Sequence, residues 1–263
     1  MEHSMSLKLS IVTGTRNRPK SYRRFLESVF CAPTTDFEVV VVDASDGGKS
    51  YTDIDDGWDT IVNVIPEKPR LGPIRGYNLG FKAARGEYVA FFNDDCELLP
   101  GWDETAIAFM DRNPQVGIGI IYFKDHFGDW NTNGEPQPDA SRFGPLYITQ
   151  SLFNVVYANF GIVRRECGEQ IGWQDEDALG FMYGGDTDLC FEAIWRGWQV
   201  VTIPDCRVLH WRQRDRERQD TRSLCKNDRA KFDAKWVPRL PELRDKQNKF
   251  MHLVGPRTIG KPQ

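Results

Sequence analysis

Two short, unbroken apolar runs, Glu38-Val-Val-Val-Val-Asp43 and Tyr88-Val-Ala-Phe-Phe-Asn-Asp-Asp95, each end on acidic residues. A strand that is apolar at every position has no solvated face, so both runs read as strands buried on two sides in a parallel sheet covered by helices. Lys8-Leu-Ser-Ile-Val12 reads as an earlier strand broken at Gly14. Between it and the first run, Tyr22, Phe25, Leu26 and Val29 fall at helical spacing from Pro19 to Phe30. This is a βαβ unit. Open α/β sheets bind ligands at the carboxyl ends of their strands, which is where Asp43, Asp94 and Asp95 fall.

The pattern continues in the same vein. Ile61 to Ile65 reads as a weaker strand, Pro73 to Ala84 as a helix closed by Gly86, Trp102 to Arg112 as a helix and Gly117 to Phe123 as a strand. Lys124 to Pro145 is rich in Asp, Asn, Gly and Pro without periodicity, and a loop of that length inside a compact domain is commonly functional. A helix is expected from Asp186 to Arg196, and strands from Trp198 to Ile203 and Arg207 to Trp211.

An Asp pair at the end of a buried strand suits a hard divalent cation, Mn²⁺ or Mg²⁺, which commonly binds through one or two carboxylates plus substrate phosphates. Asp-Asp is also an ordinary turn. Asp186 and Asp188 in Tyr183-Gly-Gly-Asp-Thr-Asp188 fall at a helix start, where acids satisfy free backbone N–H groups; the other reading makes one of them a general base. His210, at the end of the last strand, is open between a metal ligand and a satisfied polar residue.

Taken in order, Ser10-Ile-Val-Thr-Gly-Thr-Arg-Asn-Arg-Pro19, Val-Val-Val-Asp43 with Ala-Ser-Asp46, Arg75-Gly-Tyr-Asn78-Leu-Gly80, Ala84-Arg-Gly-Glu-Tyr88, Phe92-Asn-Asp-Asp95 and Tyr183-Gly-Gly-Asp-Thr-Asp-Leu189 resemble glycosyltransferase family 2, in a rhamnosyltransferase-like pattern. The resemblance spans residues 7–211. It implies a GT-A (Rossmann-like) α/β fold: a mixed, mostly parallel sheet flanked by helices, in one domain with a helical C-terminal extension. The nucleotide-binding half would be 7–123, the acceptor and catalytic half 124–211, and the extension 212–263. The implied reaction is metal-dependent, inverting transfer of a sugar from a nucleotide-diphosphate donor (UDP, dTDP or GDP type) to an acceptor hydroxyl.

The resemblance also implies roles. Gly14, Thr15, Arg16, Asp43, Arg75 and Asp94 would bind the donor, Asp95 and His210 the metal, and Asp186 would be the base. Asn93 and Gly185 depart from the family pattern, which often has Asp and Glu there; Asp188 and Asp175 are the alternative bases. Trp102, Trp173, Tyr183 and Trp211 are candidates for stacking on sugar rings, with packing as the competing role. Thr13-Gly-Thr-Arg16 superficially resembles the loop of a sugar nucleotidyltransferase, and a catalytically impaired GT-A-fold binding protein is the third reading.

Charge and apolar runs narrow the partners. The net charge of −4 gives no global footprint for a polyanion. It conceals ten Lys/Arg against five Asp/Glu from Arg207 to Lys235, either a solvated helical face or a patch for an anionic partner. No apolar run approaches the ~20 residues of a membrane-spanning helix. Six Cys lack metal-site spacing. A cytoplasmic chain is expected, with peripheral contact at a membrane surface left open. The acceptor is open among a glycan, a lipid-linked glycan, a protein and a modified nucleic acid.

Overall fold

A computed structural model describes residues 7–31, 35–46, 61–126, 143–212 and 224–251. Strands β1 (Leu9–Thr15), β2 (Phe37–Asp43), β3 (Val62–Pro66) and β4 (Tyr88–Phe91) pair in parallel in the order β3-β2-β1-β4. Helix α1 (Pro19–Cys31) buries Tyr22, Phe25, Leu26 and Val29, the stripe expected from their spacing. Helix α2 (Pro73–Ala83) lies close on the sheet because Gly80 has no side chain: a Cβ there would stand 2.5 Å from Val12 Cγ1.

The other half of the sheet is mixed. It contains β5 (Cys96–Leu98), β6 (Val116–His126), β7 (Phe143–Tyr147), β10 (Gly161–Arg164) and β11 (Gln199–His210), and the main path ends β4-β10-β6-β11-β5. Here β10 and β5 run antiparallel to their neighbours, while β6 and β11 form a long parallel ladder. A separate hairpin joins β8 (Gln150–Leu152) and β9 (Val155–Tyr157).

This order forces the sheet to curl. Four strand spacings separate β4 from β5, ~19 Å in a flat sheet. Only residues 92–95 connect them, and five Cα steps reach ~18 Å when fully stretched. The connection is not stretched: Cys96 N–H donates to Asn93 O at 3.1 Å, closing a turn. The far edge therefore folds back towards the middle, carrying β11 and its terminal His210 to the end of β4.

Several expectations are refined. The two strands expected at 198–203 and 207–211 are one, β11, irregular between Thr202 and Arg207, where Asp205 has φ 60°. The segment expected to be loop from Lys124 begins as strand, since β6 runs to His126, and β7 opens at Phe143; residues 127–142 lie outside the described residues. Helix α3 (Trp102–Arg112) is as expected, α5 (Gly185–Trp195) starts and ends one residue earlier than expected, and α4 (Arg165–Ile171) was not anticipated. Helices Asp228–Trp236 and Leu240–Asn248 follow, the second packed on α5.

Candidate active site

The ends of β1, β2 and β4 converge. Thr15, opposite Asp43 in the ladder, donates its hydroxyl to Asp94 Oδ2 at 2.8 Å, and Arg18 Nη1 lies 3.4 Å from Asp94 Oδ1. The Ser21 hydroxyl donates to the Asp94 backbone carbonyl at 3.0 Å. Burial pushes the Asp94 carboxyl up to about 6, against the pull of Arg18. Asp43 Oδ1 accepts the N–H of Ser45 at 2.9 Å.

The next residues lock the two loops together. Arg16 Nη2 lies 2.9 Å from Asp46 Oδ2, and Asn17, in the left-handed region at φ 53°, exchanges hydrogen bonds with the side chain and backbone N–H of Asp46. Gly14 is not sterically required, as a Cβ there would meet only ordinary contacts at 3.9 Å. The Tyr22 hydroxyl is buried without a hydrogen-bond partner, and burial raises its pKa, helped by Asp43 and Asp94. Tyr77, of the Arg75–Gly80 motif, donates its hydroxyl to Phe92 O at 2.8 Å, with Asn93 Oδ1 3.1 Å from the same oxygen, tying α2 to the acidic turn.

One residue on, the curl delivers a second cluster. In the ladder His210 stands opposite Cys96 of β5 and Asp125 of β6. Its Nδ1 is 2.7 Å from Asp125 Oδ1 and its Nε2 is 3.1 Å from Asp95 Oδ1. That Nε2 is buried and makes no well-directed hydrogen bond. Burial alone would lower the imidazole pKa, but Asp95 and Asp125 carry it up to about 9. Around the pair, Trp211 Nε1 donates to Glu97 at 2.7 Å, and the Arg24 guanidinium lies 4.9 Å above the Trp211 ring.

This donor set suits a hard divalent cation. A carboxylate and an imidazole nitrogen face each other, and the second ring nitrogen is oriented by a further carboxylate, as is usual for a ligating histidine. Among the described residues no three His, Cys, Asp or Glu side chains group as a closed metal site. An ion held here would need oxygens from a bound diphosphate, the usual arrangement for Mg²⁺-type ions.

Asp186 stands apart, at the start of α5. Its Oδ1 accepts the Thr187 N–H at 2.8 Å, and burial pushes the carboxyl up to about 6 despite that bond. Gly185 beside it is explained by packing. A Cβ there would stand 2.8 Å from Gln174 Oε1, so Gln174 fills the room a side chain would take. The alternative bases are occupied: Asp188, 0% exposed, accepts from Lys235 Nζ and Trp236 Nε1, each at 2.7 Å. Asp175 is also bound to Lys235, at 3.0 Å.

Arg75 does not join the donor cluster. It lies on the exposed face of α2, 4.0 Å from Glu176. Trp102 and Trp173 are core residues, packed on Phe92 and stacked on Phe81, which removes them as sugar platforms. Tyr183 and Trp211 keep exposed surface. Half of the basic residues described in the stretch from Arg207 to Lys235 are engaged: Lys235 lies among Asp175, Asp188 and Glu192, Arg229 pairs with Asp233, and Arg212 lies 3.6 Å from Asp125, while Arg207, Lys226 and Lys231 are exposed. Residues 213–223 of that stretch lie outside the described residues.

Residues 10–167 match the sequence model of glycosyl transferase family 2, more than half of the chain. The chain belongs to glycosyltransferase family 2. The matched span includes Asp94 and Asp95, while Asp186 and His210 lie beyond it. The chain is 23% identical over 210 residues to an uncharacterised glycosyltransferase, YwdF, of Bacillus subtilis, covering 78% of this chain and 74% of the relative. It is 33% identical over 118 residues to the GalNAc(5)-diNAcBac-PP-undecaprenol beta-1,3-glucosyltransferase of Campylobacter jejuni, covering 44% of this chain and 37% of that one. It also spans only 37% of a related uncharacterised glycosyltransferase of Haemophilus influenzae and 25% of protein y4gI of Sinorhizobium fredii.

Solved structures share the GT-A fold. Staphylococcus aureus TarS residues 1–349 in complex with UDP-GlcNAc superposes with a TM-score of 0.60 at 18% identity, over 86% of this chain and 66% of that one. The mannosyltransferase PcManGT of Pyrobaculum calidifontis, in complex with GDP-Man and Mn²⁺, gives 0.59 at 16% identity, over 95% and 71%. No helix among the described residues is long and apolar enough to cross a membrane.

Proposed function

We propose that this glycosyltransferase moves a sugar, with inversion at the anomeric carbon, from a nucleotide-diphosphate donor to an acceptor hydroxyl, assisted by Mn²⁺ or Mg²⁺. The observation that carries the reading is the pairing of adjacent residues with different surroundings: Asp94 bound to Thr15 and Arg18, and Asp95 against His210. One acid is dressed for a neutral hydrogen-bonding partner such as a ribose, the other for a cation. The named ligands of the TarS and PcManGT structures, a UDP-sugar and a GDP-sugar with Mn²⁺, support a donor of this class.

In this reading residues 7–123 bind the donor. Asp43 and the Thr15–Arg18 loop frame the nucleoside, and Asp94 receives the ribose in place of part of its contact with Arg18. Asp95 and His210 hold the divalent ion, which supplies charge neutralisation for the departing diphosphate. Residues 124–211 supply the base. Asp186 accepts the proton of the acceptor hydroxyl as its oxygen attacks the anomeric carbon opposite the leaving group, and a carboxyl pushed up to about 6 is well matched to that task near neutral pH. Arg75, on an exposed face, is assigned to the rim of the donor site.

The acceptor is a hydroxyl-bearing glycan, free or lipid-linked; the name of the C. jejuni relative, with its undecaprenol-linked substrate, favours this over a protein or nucleic acid. The test is a thermal-shift series with UDP, dTDP and GDP, with and without Mn²⁺, followed by donor hydrolysis. A ligand that binds only the native state raises its melting temperature by mass action. A metal-dependent shift with one nucleotide, abolished in Asp95→Ala, is expected; no shift with any of them would overturn the donor assignment. Binding without hydrolysis would favour a binding protein that has lost turnover.

A further inference from the structure

The segment after residue 223 is built against the residues that flank Asp186. Asp228 is 4% exposed, and its Oδ2 accepts two consecutive backbone N–H groups, Met182 at 2.8 Å and Tyr183 at 3.1 Å. The loop is shaped to receive it. A Cβ on Gly180 would collide with the Asp228 carboxylate, and one on Gly184, itself at φ 83°, would collide with the Phe232 ring. Tyr183 is held from the same helix by Arg229 Nη1, 2.7 Å from its hydroxyl. Two residues beyond Asp186, Asp188 is fastened by Lys235 and Trp236.

The second helix braces the other side. Gln247 accepts Val156 N–H at 2.6 Å and donates to Asn154 O at 3.0 Å, and Arg244 donates to Phe153 O at 2.9 Å. These bonds fix the β8–β9 hairpin, whose second strand packs against α5, the helix that Asp186 opens. Both neighbours of Asp186 are therefore positioned by one stretch of chain outside the family-matched residues.

We propose that residues 224–248 are a brace that sets the position of Asp186, with Asp228 as its positioning residue. The proposal rests on the reading of Asp186 as base. Two adjacent N–H groups sharing one carboxylate oxygen fix the orientation of both peptide planes just before Gly184, and thereby the direction in which α5 starts. A charge at this point serves better than a hydrophobic contact, because hydrogen bonds restrict angle as well as distance. The bonds of Asp228, Arg229, Lys235 and Trp236 described above go to the residues that flank Asp186, so the brace is expected to act on the base more than on donor binding.

The test compares Asp228→Ala with Met110→Ala, which removes a fully buried side chain from α3, outside the brace. Both should lower the melting temperature. Asp228→Ala should in addition lower kcat by roughly tenfold or more, since misplacing a catalytic group by ~1 Å costs up to ~100-fold. The donor KM and the Mn²⁺-dependent nucleotide shift should stay within twofold of wild type, and amide exchange should rise at 181–185. Asp228→Asn, which keeps one acceptor oxygen, should fall between wild type and Ala and covers the case in which Ala does not fold. Unchanged kcat in the Asp228 variants, or an equal loss in Met110→Ala, would overturn the proposal. Failure of the donor reading would show separately, as absence of any nucleotide shift in the wild type, while exchange at 181–185 would still decide whether Asp228 is a brace.

Discussion

His210 Nδ1 lies 2.7 Å from the carboxylate of Asp125, a residue 85 positions earlier that β6 brings alongside in the ladder. The contact fixes which nitrogen faces Asp95. Loss of such an outer carboxylate typically weakens metal affinity ~10–100-fold. Asp125→Asn should therefore raise the Mn²⁺ concentration that half-saturates nucleotide binding by that factor, leaving metal-free nucleotide binding unchanged; a Mn²⁺ titration of the thermal shift measures it.

Asp186 should show its environment in both activity and stability. As a base it must be ionised, so kcat should rise as pH passes about 6. Stability moves the other way. The folded-state pKa is raised from 3.8 to about 6, so stability is greatest below the unfolded value and falls as pH rises through the folded one. Asp186→Asn escapes that loss. It should abolish turnover yet, because the side chain is only half-buried, be more stable than wild type by just ~1–2 kcal/mol above pH 7, and no more stable at pH 4. Urea denaturation at the two pH values reads the difference.

Lys235 sits 2.7 to 3.0 Å from Asp188, Glu192 and Asp175 with 6% of its side chain exposed. Removing it leaves three carboxylates facing one another, and Asp188 has no water to turn to. Breaking a buried pair from one side costs ~3–5 kcal/mol. Lys235→Met should lose that much in denaturant titration, and Lys235→Met with Asp188→Asn should lose less than the sum of the two single changes.

Gly80 sits against Val12 of β1. Gly80→Ala would press the new methyl into Val12 Cγ1 at 2.5 Å, overpacking that costs about 1–3 kcal/mol. Val12→Ala combined with it should recover part of the loss, because the smaller residue vacates the collision. A recovery no larger than additivity allows would show that the helix simply shifts.

What could be read from the chain divides along physical lines. Strands β1, β2 and β4 and helices α1 to α3 and α5 announced themselves through period and punctuation, and Asp43, Asp94 and Asp95 through their place at strand ends. Three-residue β5 has no period to detect. Asp125 gave no signal as the partner of His210, because their meeting depends on register between strands far apart in sequence. Asp228 and Lys235 read as members of a charge run, and only the packing of their helix shows them buried. Trp102 and Trp173, open between sugar stacking and packing in the sequence, are core residues, as is Trp236.

The four residues 92–95 close the curl of the sheet and also carry Asn93, Asp94 and Asp95. Adding or deleting one residue there would move β5 by one position against β11, exchanging the facing of Cys96 and Leu98 with that of Glu97. Length variation in this link is thus barred twice, once by architecture and once by chemistry. A chain of this design can vary only in side chains or loops elsewhere, and its relatives should agree in the length of this turn even where they agree in little else.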